Sequence, residues 1–207
     1  MMDKLQKYFE PAVLLMILLS LGGLYAQYAI AQGVSVALVS LLAFYWLASG
    51  ILVLLDRANV EQVMRLTWFM GMWSAAIGLL GIISRILLWS SSSSILMVSG
   101  AMALTAIAFS ILNRQGLKGD LQEAFDREMR PLYVRLLPVL LVGTMIYFTD
   151  ARGIYSNFGL FRDDPEYVRL LIEKIDNPHN RKAVDAWKKY HTQKRLEMSK
   201  RASAPKE

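Results

Sequence analysis

The chain has 207 residues, 55% of them apolar, with a mean hydropathy of +0.34. Soluble domains usually hold about 45–50% apolar residues, so this composition excludes an ordinary water-soluble globule. The formal net charge is +6 and there is no cysteine, which excludes disulfides, thiol redox chemistry and thiolate metal sites without fixing the compartment.

The apolar excess lies in the first three-quarters of the chain and divides into stretches of membrane-crossing length. A spanning helix needs roughly 20 mostly apolar residues to match about 30 Å of hydrocarbon. Pro11 to Ala31 and Val34 to Leu55 both qualify, with Gln32-Gly33 as a minimal uncharged turn between them. A second reading of the first stretch is a secretory signal, with Lys4 and Lys7 as its basic region and Ala29-Ile30-Ala31 as its cleavage site. Glu10 sits awkwardly against that apolar core.

Leu66 to Trp89 is the third stretch. On one helix Trp68 and Trp89 would stand about 31 Å apart, an aromatic belt at both interfaces. Ile95 to Leu112 is the fourth, after the serine run 90–94. Between it and the next, Asp120 and Glu123 have the spacing of a capping box. Leu117, Leu121, Phe125 and Met129 then recur every four residues, which predicts a short amphipathic helix on the membrane surface.

The fifth stretch, Pro131 to Thr149, spans about 28 Å as a helix and carries Arg135 and Pro138 near its start. A transmembrane helix tolerates proline, and an arginine one turn from the end can extend its stem to the headgroups. No charged residue lies between Leu136 and Phe148 on any face, so the stretch is expected to cross.

Lys4, Lys7, Arg57, Arg65, Arg114, Lys118, Arg127 and Arg130 fall on one side if five spans alternate. The positive-inside rule makes that side cytoplasmic and sends residues 151–207 outside. A plasma (inner) membrane is the expected location. In this tail, Asp164-Pro165 is a helix start, and Val168, Leu171, Ile172 and Ile175 form an apolar stripe. After Asn177-Pro178, Ala183, Val184, Trp187 and Tyr190 share one side of a second helix. The expected fold is therefore all-α: a five-span bundle over residues 1–150 and a small soluble helical hairpin over 151–207. Val168, Leu171, Ile172, Ile175, Trp187 and Tyr190 are the expected partner-contact face, because two short helices bury little surface by themselves.

Chemistry is sparse. His179 and His191 are twelve residues apart, which is not a metal-ligand spacing. No nucleophile elbow or phosphate loop is present, and no catalytic, metal or cofactor site is expected. Gly71-x-x-x-Ala75, Ser74-x-x-x-Gly78 and Ser99-x-x-x-Ala103 are small-residue patterns that let helices approach closely. Arg85, Gln27 and Asn113 are the polar or ion-pairing candidates within spans. Arg85 would reach outer headgroups, or else an acidic partner, an anionic lipid or a substrate. The basic tract 188–201 has no nucleic-acid fold around it, so nucleic acid is not an expected partner. Membrane lipids are expected partners, together with a second protein or another copy of the chain.

No motif is specific enough to point to a family. The functional expectation is a non-catalytic accessory or scaffold subunit of a larger membrane assembly. A small transporter or channel is the alternative, and a membrane-embedded enzyme acting on lipids is the third.

Overall fold

A computed structural model describes residues 2–26, 29–55, 62–89, 91–159, 161–177 and 179–203. It is all-helical, with no strand among the described residues. Residues Met1–Thr149 form one compact unit and Asp150–Glu207 a second.

The first unit contains α1 (Met2–Tyr25), α2 (Ala29–Leu55), α3 (Gln62–Ile86), α4 (Ser92–Gln115) and α5 (Asp120–Phe148). All five are long and apolar enough to cross a membrane. α1 packs on α2 and α2 on α3, while α4 and α5 pack on α3 and on each other. α3 is thus the central helix: half of its spanning window is buried, against 22–28% for the other four.

Small residues explain how α3 accommodates its neighbours. A Cβ added at Gly71 would meet Leu132 of α5 at 2.7 Å, and one at Gly81 would meet Leu96 of α4 at 2.8 Å. At Gly78 it would lie 2.6 Å from both Ser99 Oγ and Val139 Cγ1. Beside this contact the Ser74 and Ser99 hydroxyls donate to each other's backbone carbonyls, at 2.7 and 2.9 Å. The same logic joins α1 to α2, where the buried Ser35 hydroxyl donates to Ser20 at 2.9 Å. Lipid tails are as apolar as leucine, so close packing and inter-helix hydrogen bonds must hold such a bundle.

Several boundaries differ from the sequence expectation. The first break falls near residue 26, and Gln32-Gly33 lies inside α2. A lone glycine costs only about 1 kcal/mol in a helix, less than leaving backbone groups unbonded in an apolar medium. Asp56, Arg57 and Gln27 lie outside the described residues.

α3 stops at Ile86, so Trp89 is not on the helix that carries Trp68, and the single-helix aromatic belt is not formed. The stop is a Schellman arrangement. Leu88 N–H donates to the Arg85 carbonyl and Trp89 N–H to the Ser84 carbonyl, at 3.0 and 2.8 Å. Leu88 occupies the left-handed position at φ +56°, where glycine is usual.

α5 absorbs both the amphipathic segment and the fifth span into one helix of 29 residues, with Pro131 and Pro138 inside it. A proline removes one backbone hydrogen bond, whereas a break would orphan groups at two new helix ends. Phe125 and Met129 are buried rather than lying on a membrane surface, and only Leu121 of that stripe is well exposed. The expected capping box is also absent. Gly119, at φ +59°, is the N-cap, and its carbonyl accepts from the N–H groups of Gln122 and Glu123. Asp120 thereby moves into the first turn, where its charge still favours the helix dipole.

The second unit holds α6 (Ala151–Phe158), α7 (Pro165–Asp176) and α8 (Arg181–Ser203). Asp150 caps α6 by accepting from Gly153 N–H at 2.6 Å, and Asp164 caps α7 by accepting from Tyr167 N–H at 3.1 Å, with Pro165 at the first position. α6 was not among the expected elements.

Gly78→Ala tests the central contact. Val139 is β-branched and stiff, and Ser99 is held by its bond to Ser74, so neither yields easily. The expected loss is about 1–3 kcal/mol, read as a lower unfolding midpoint in detergent. Gly100→Ala, where a Cβ meets nothing within 4 Å, should be neutral or slightly stabilising.

Candidate functional site

The charges inside the bundle gather at its two ends. At the first end, Glu10 of α1 and Arg135 of α5 form an ion pair across 125 positions of sequence. Arg135 Nη2 and Nε donate to Glu10 Oε2 at 2.8 and 3.0 Å. Trp46 Nε1 of α2 donates to the other carboxylate oxygen at 3.0 Å. The Arg135 guanidinium also lies 5.7 Å from the ring centre of Trp68 on α3, whose own Nε1 donates to the Glu128 carbonyl at 3.3 Å. Four helices therefore meet on one carboxylate–guanidinium pair, whose side chains are only 17% and 21% exposed.

Helix rise gives the depth of this cluster. Arg135 stands about 20 Å from Phe148, and Glu10 about 22 Å from Tyr25, along their helices. Measured from those two residues, the pair lies within the length of a core of about 30 Å. Arg135 therefore does not simply extend to headgroups: the acid that looked misplaced in α1 neutralises it. Sequence reasoning found both residues and missed the pairing, because nothing local links positions 10 and 135.

Nearby, a hydrogen bond between Ser110 and Tyr133 joins α4 to α5. Arg114 makes a two-pronged bond to Asp126 at 2.7 and 2.9 Å. Asn113 sits between these ties with its Nδ2 buried and unbonded.

At the other end Arg85 donates to Ser93 Oγ at 3.4 Å and to the Thr149 carbonyl at 3.2 Å, tying the close of α3 to the start of α4 and the end of α5. Asn113 is 20 positions from Ser93, about 30 Å along α4. Arg85 and Asn113 therefore do not form one site, and Gln27 lies outside the described residues.

The tail has its own core. The rings of Tyr155 and Tyr167 stack at 5.9 Å, and Phe161 lies 4.8 Å from Tyr167. Trp187 and Tyr190 of α8 approach the same ring at 6.5 and 6.4 Å. His191 stacks on Trp187 at 4.9 Å, and its Nδ1 lies 2.7 Å from the Tyr167 hydroxyl. Lys174 Nζ sits 3.5 Å from the Trp187 ring centre. Of the expected partner face, Leu171 is buried and Trp187 and Tyr190 are held in this ring cluster, which leaves Val168, Ile172 and Ile175 half-exposed.

Charge closes the cluster. Lys194 Nζ lies 2.8 Å from Asp164, and this bond holds the Asp164 carboxyl below its ordinary range. Burial pushes Tyr167 up to about 12, and it raises Tyr155 further still. Burial also pushes the His191 imidazole down, helped by Arg195 and Lys174. A neutral His191 accepting from the Tyr167 hydroxyl fits all of these shifts.

The fold defines a class, a helical bundle with five helices of membrane-crossing length and a separate helical tail. Comparison with protein-family models, curated proteins and solved structures finds no match to this chain.

Two predictions follow from these clusters. Glu10→Gln leaves the Arg135 charge without its acid, and Arg135→Gln does the reverse. Each single change should cost about 1–3 kcal/mol, below the 3–5 typical of a fully buried pair because these side chains keep some exposure. The double change should cost less than the sum of the two, and additive losses in detergent unfolding would show the pair contributes nothing.

For His191, the folded pKa lies below the unfolded value of about 6.5. Its contribution is full above that value and is lost as pH falls through the folded pKa; Asp164 adds a further loss below about 4. NMR titration of the ring proton should give a midpoint below 6.5, with weakening amide protection in α7 and α8 as the ring charges. A midpoint at or above 6.5 would contradict the buried, neutral assignment.

Proposed function

We propose that this chain is a non-catalytic membrane scaffold or accessory subunit, whose tail contacts another protein. The observation that carries this reading is the fate of Glu10. A carboxylate set among apolar helix residues is the usual mark of an ion or proton pathway; here it is neutralised by Arg135 and capped by Trp46. The same group thus works as a static tie among four helices. The serine pairs between α1 and α2 and between α3 and α4 work likewise.

The tail supports the reading from another direction. Its ring cluster gives it a core, so Val168, Ile172 and Ile175 are not consumed in holding the hairpin together. They form a narrow half-exposed strip on α7 that suits a protein contact. With five crossings and the basic loops inside, the N-terminus is cytoplasmic and this strip lies outside a plasma or inner membrane.

Single cysteines at Ser93, Gln122 and Ser203 test the placement in a chain that has no cysteine of its own. Positions 93 and 203 should label from one side and 122 from the other. A photo-crosslinker at Ile172 in native membranes should then give a discrete product that Ile175→Glu abolishes. A monodisperse monomer with no such product would remove the scaffold reading. Liposome flux lost on Arg85→Ala would favour a channel instead.

A further inference from the structure

Arg85, half-buried in the last turn of α3, has no acid beside it among the described residues. Its two hydrogen bonds, to Ser93 and Thr149, are long and go to neutral oxygens, and its buried Nε has no partner. A guanidinium carries five N–H donors, so most of its capacity is unused. Ser92, 1% exposed, also has an unbonded Oγ. It is the first residue of α4, whose N-cap Ser91 supplies no side-chain cap. The positive end of the α4 dipole lies at the same spot, alongside the negative ends of α3, whose last turn carries Arg85, and of α5, whose Thr149 carbonyl Arg85 holds.

An apolar groove of about 340 Å³ lies between α4 and α5, its nearest lining residues one to three positions from those that Arg85 bonds. Leu96, Gly100 and Leu104 form one wall, and Leu140, Gly143 and Phe148 the other. Phe148 adjoins Thr149, and Leu96 is one turn from Ser93, so the cation stands at one end of the groove. From Leu96 to Leu104 the groove runs about 12 Å along the helix, close to the roughly 15 Å depth of a single leaflet. Two helical turns make a short seam for a partner helix but suit one acyl chain. Free phosphate would explain the cation and leave the groove unexplained.

We propose that this end of the bundle binds a glycerophospholipid, with its phosphate on Arg85, Ser92, Ser93 and the α4 N-terminus, and an acyl chain in the α4–α5 groove. This stands apart from the scaffold reading, which concerns α7 and the Glu10 pair. The Arg85 bonds to Ser93 and Thr149 orient the guanidinium toward the three helix ends. Gly100 keeps the groove open, since a Cβ there meets nothing within 4 Å.

The test is native mass spectrometry of the full-length protein in detergent, with added dioleoyl phosphatidylglycerol, dioleoylglycerol or inorganic phosphate. Phosphatidylglycerol should be retained about tenfold better than dioleoylglycerol, the scale of a charge-assisted hydrogen bond, and inorganic phosphate should not displace it. Arg85→Gln should erase that tenfold preference, and Arg85→Lys should keep most of it. Gly100→Leu fills open space, so the fold should survive by circular dichroism while retention of both lipids drops. Unchanged retention in Arg85→Gln or in Gly100→Leu would overturn the proposal. So would displacement by inorganic phosphate, which would leave a simple anion site, or loss of lipid in both Arg85 variants. Gly100→Leu breaking an oligomer while sparing lipid would show that a second copy's helix fills the groove.

Discussion

The bundle depends on the close approach of α4 and α5 to α3. Within a bilayer, apolar side chains gain nothing by leaving lipid for protein, so helices associate through tight contact and shared hydrogen bonds. Gly71, Gly78 and Gly81 remove the side chains that would hold α3 away from its neighbours. At Gly78 the approach also sets Ser74 and Ser99 close enough to bond each other's carbonyls. Once α3 is fixed in this way, α2 on its remaining face brings α1 with it, and the charged ends of the helices come into register.

That register accounts for the placement of charge. Glu10 alone in a membrane helix would be costly, and so would Arg135. Together, with Trp46 as a further donor and Trp68 beneath the guanidinium, they become a direct tie between α1 and α5, which otherwise meet mainly through α2 and α3. The opposite end is not balanced in this way. Arg85 holds the ends of three helices with weak neutral bonds and keeps its charge. The Glu10 end thus holds a neutralised pair, whereas Arg85 at the other end has no acid beside it among the described residues.

The tail is stabilised by different means. Outside lipid, burial of aromatic surface is favourable. Tyr155, Phe161, Tyr167, Trp187, Tyr190 and His191 surround one another there. The added helix α6 brings Tyr155 into this set, so the hairpin does not depend on the α7 stripe alone. The cost is a histidine that must stay neutral and an aspartate that must stay charged.

Most of the elements were legible from local pattern, though not α6 or the joining of the amphipathic segment to the fifth span. Five apolar stretches, the Asp164-Pro165 helix start and the small residues of α3 can all be read in the sequence, because hydropathy, capping and side-chain size act over a few neighbouring residues. Helix ends were less legible: Leu88 in a position that favours glycine, and two prolines inside α5, both run against local preference. There the requirement that backbone groups stay bonded in an apolar medium outweighed the preference of single residues. The pairing of Glu10 with Arg135, the isolation of Asn113 from Arg85, and the inward turn of Trp187 and Tyr190 could not be read at all. Each depends on which helix faces stand together in space, and only the packed structure decides that.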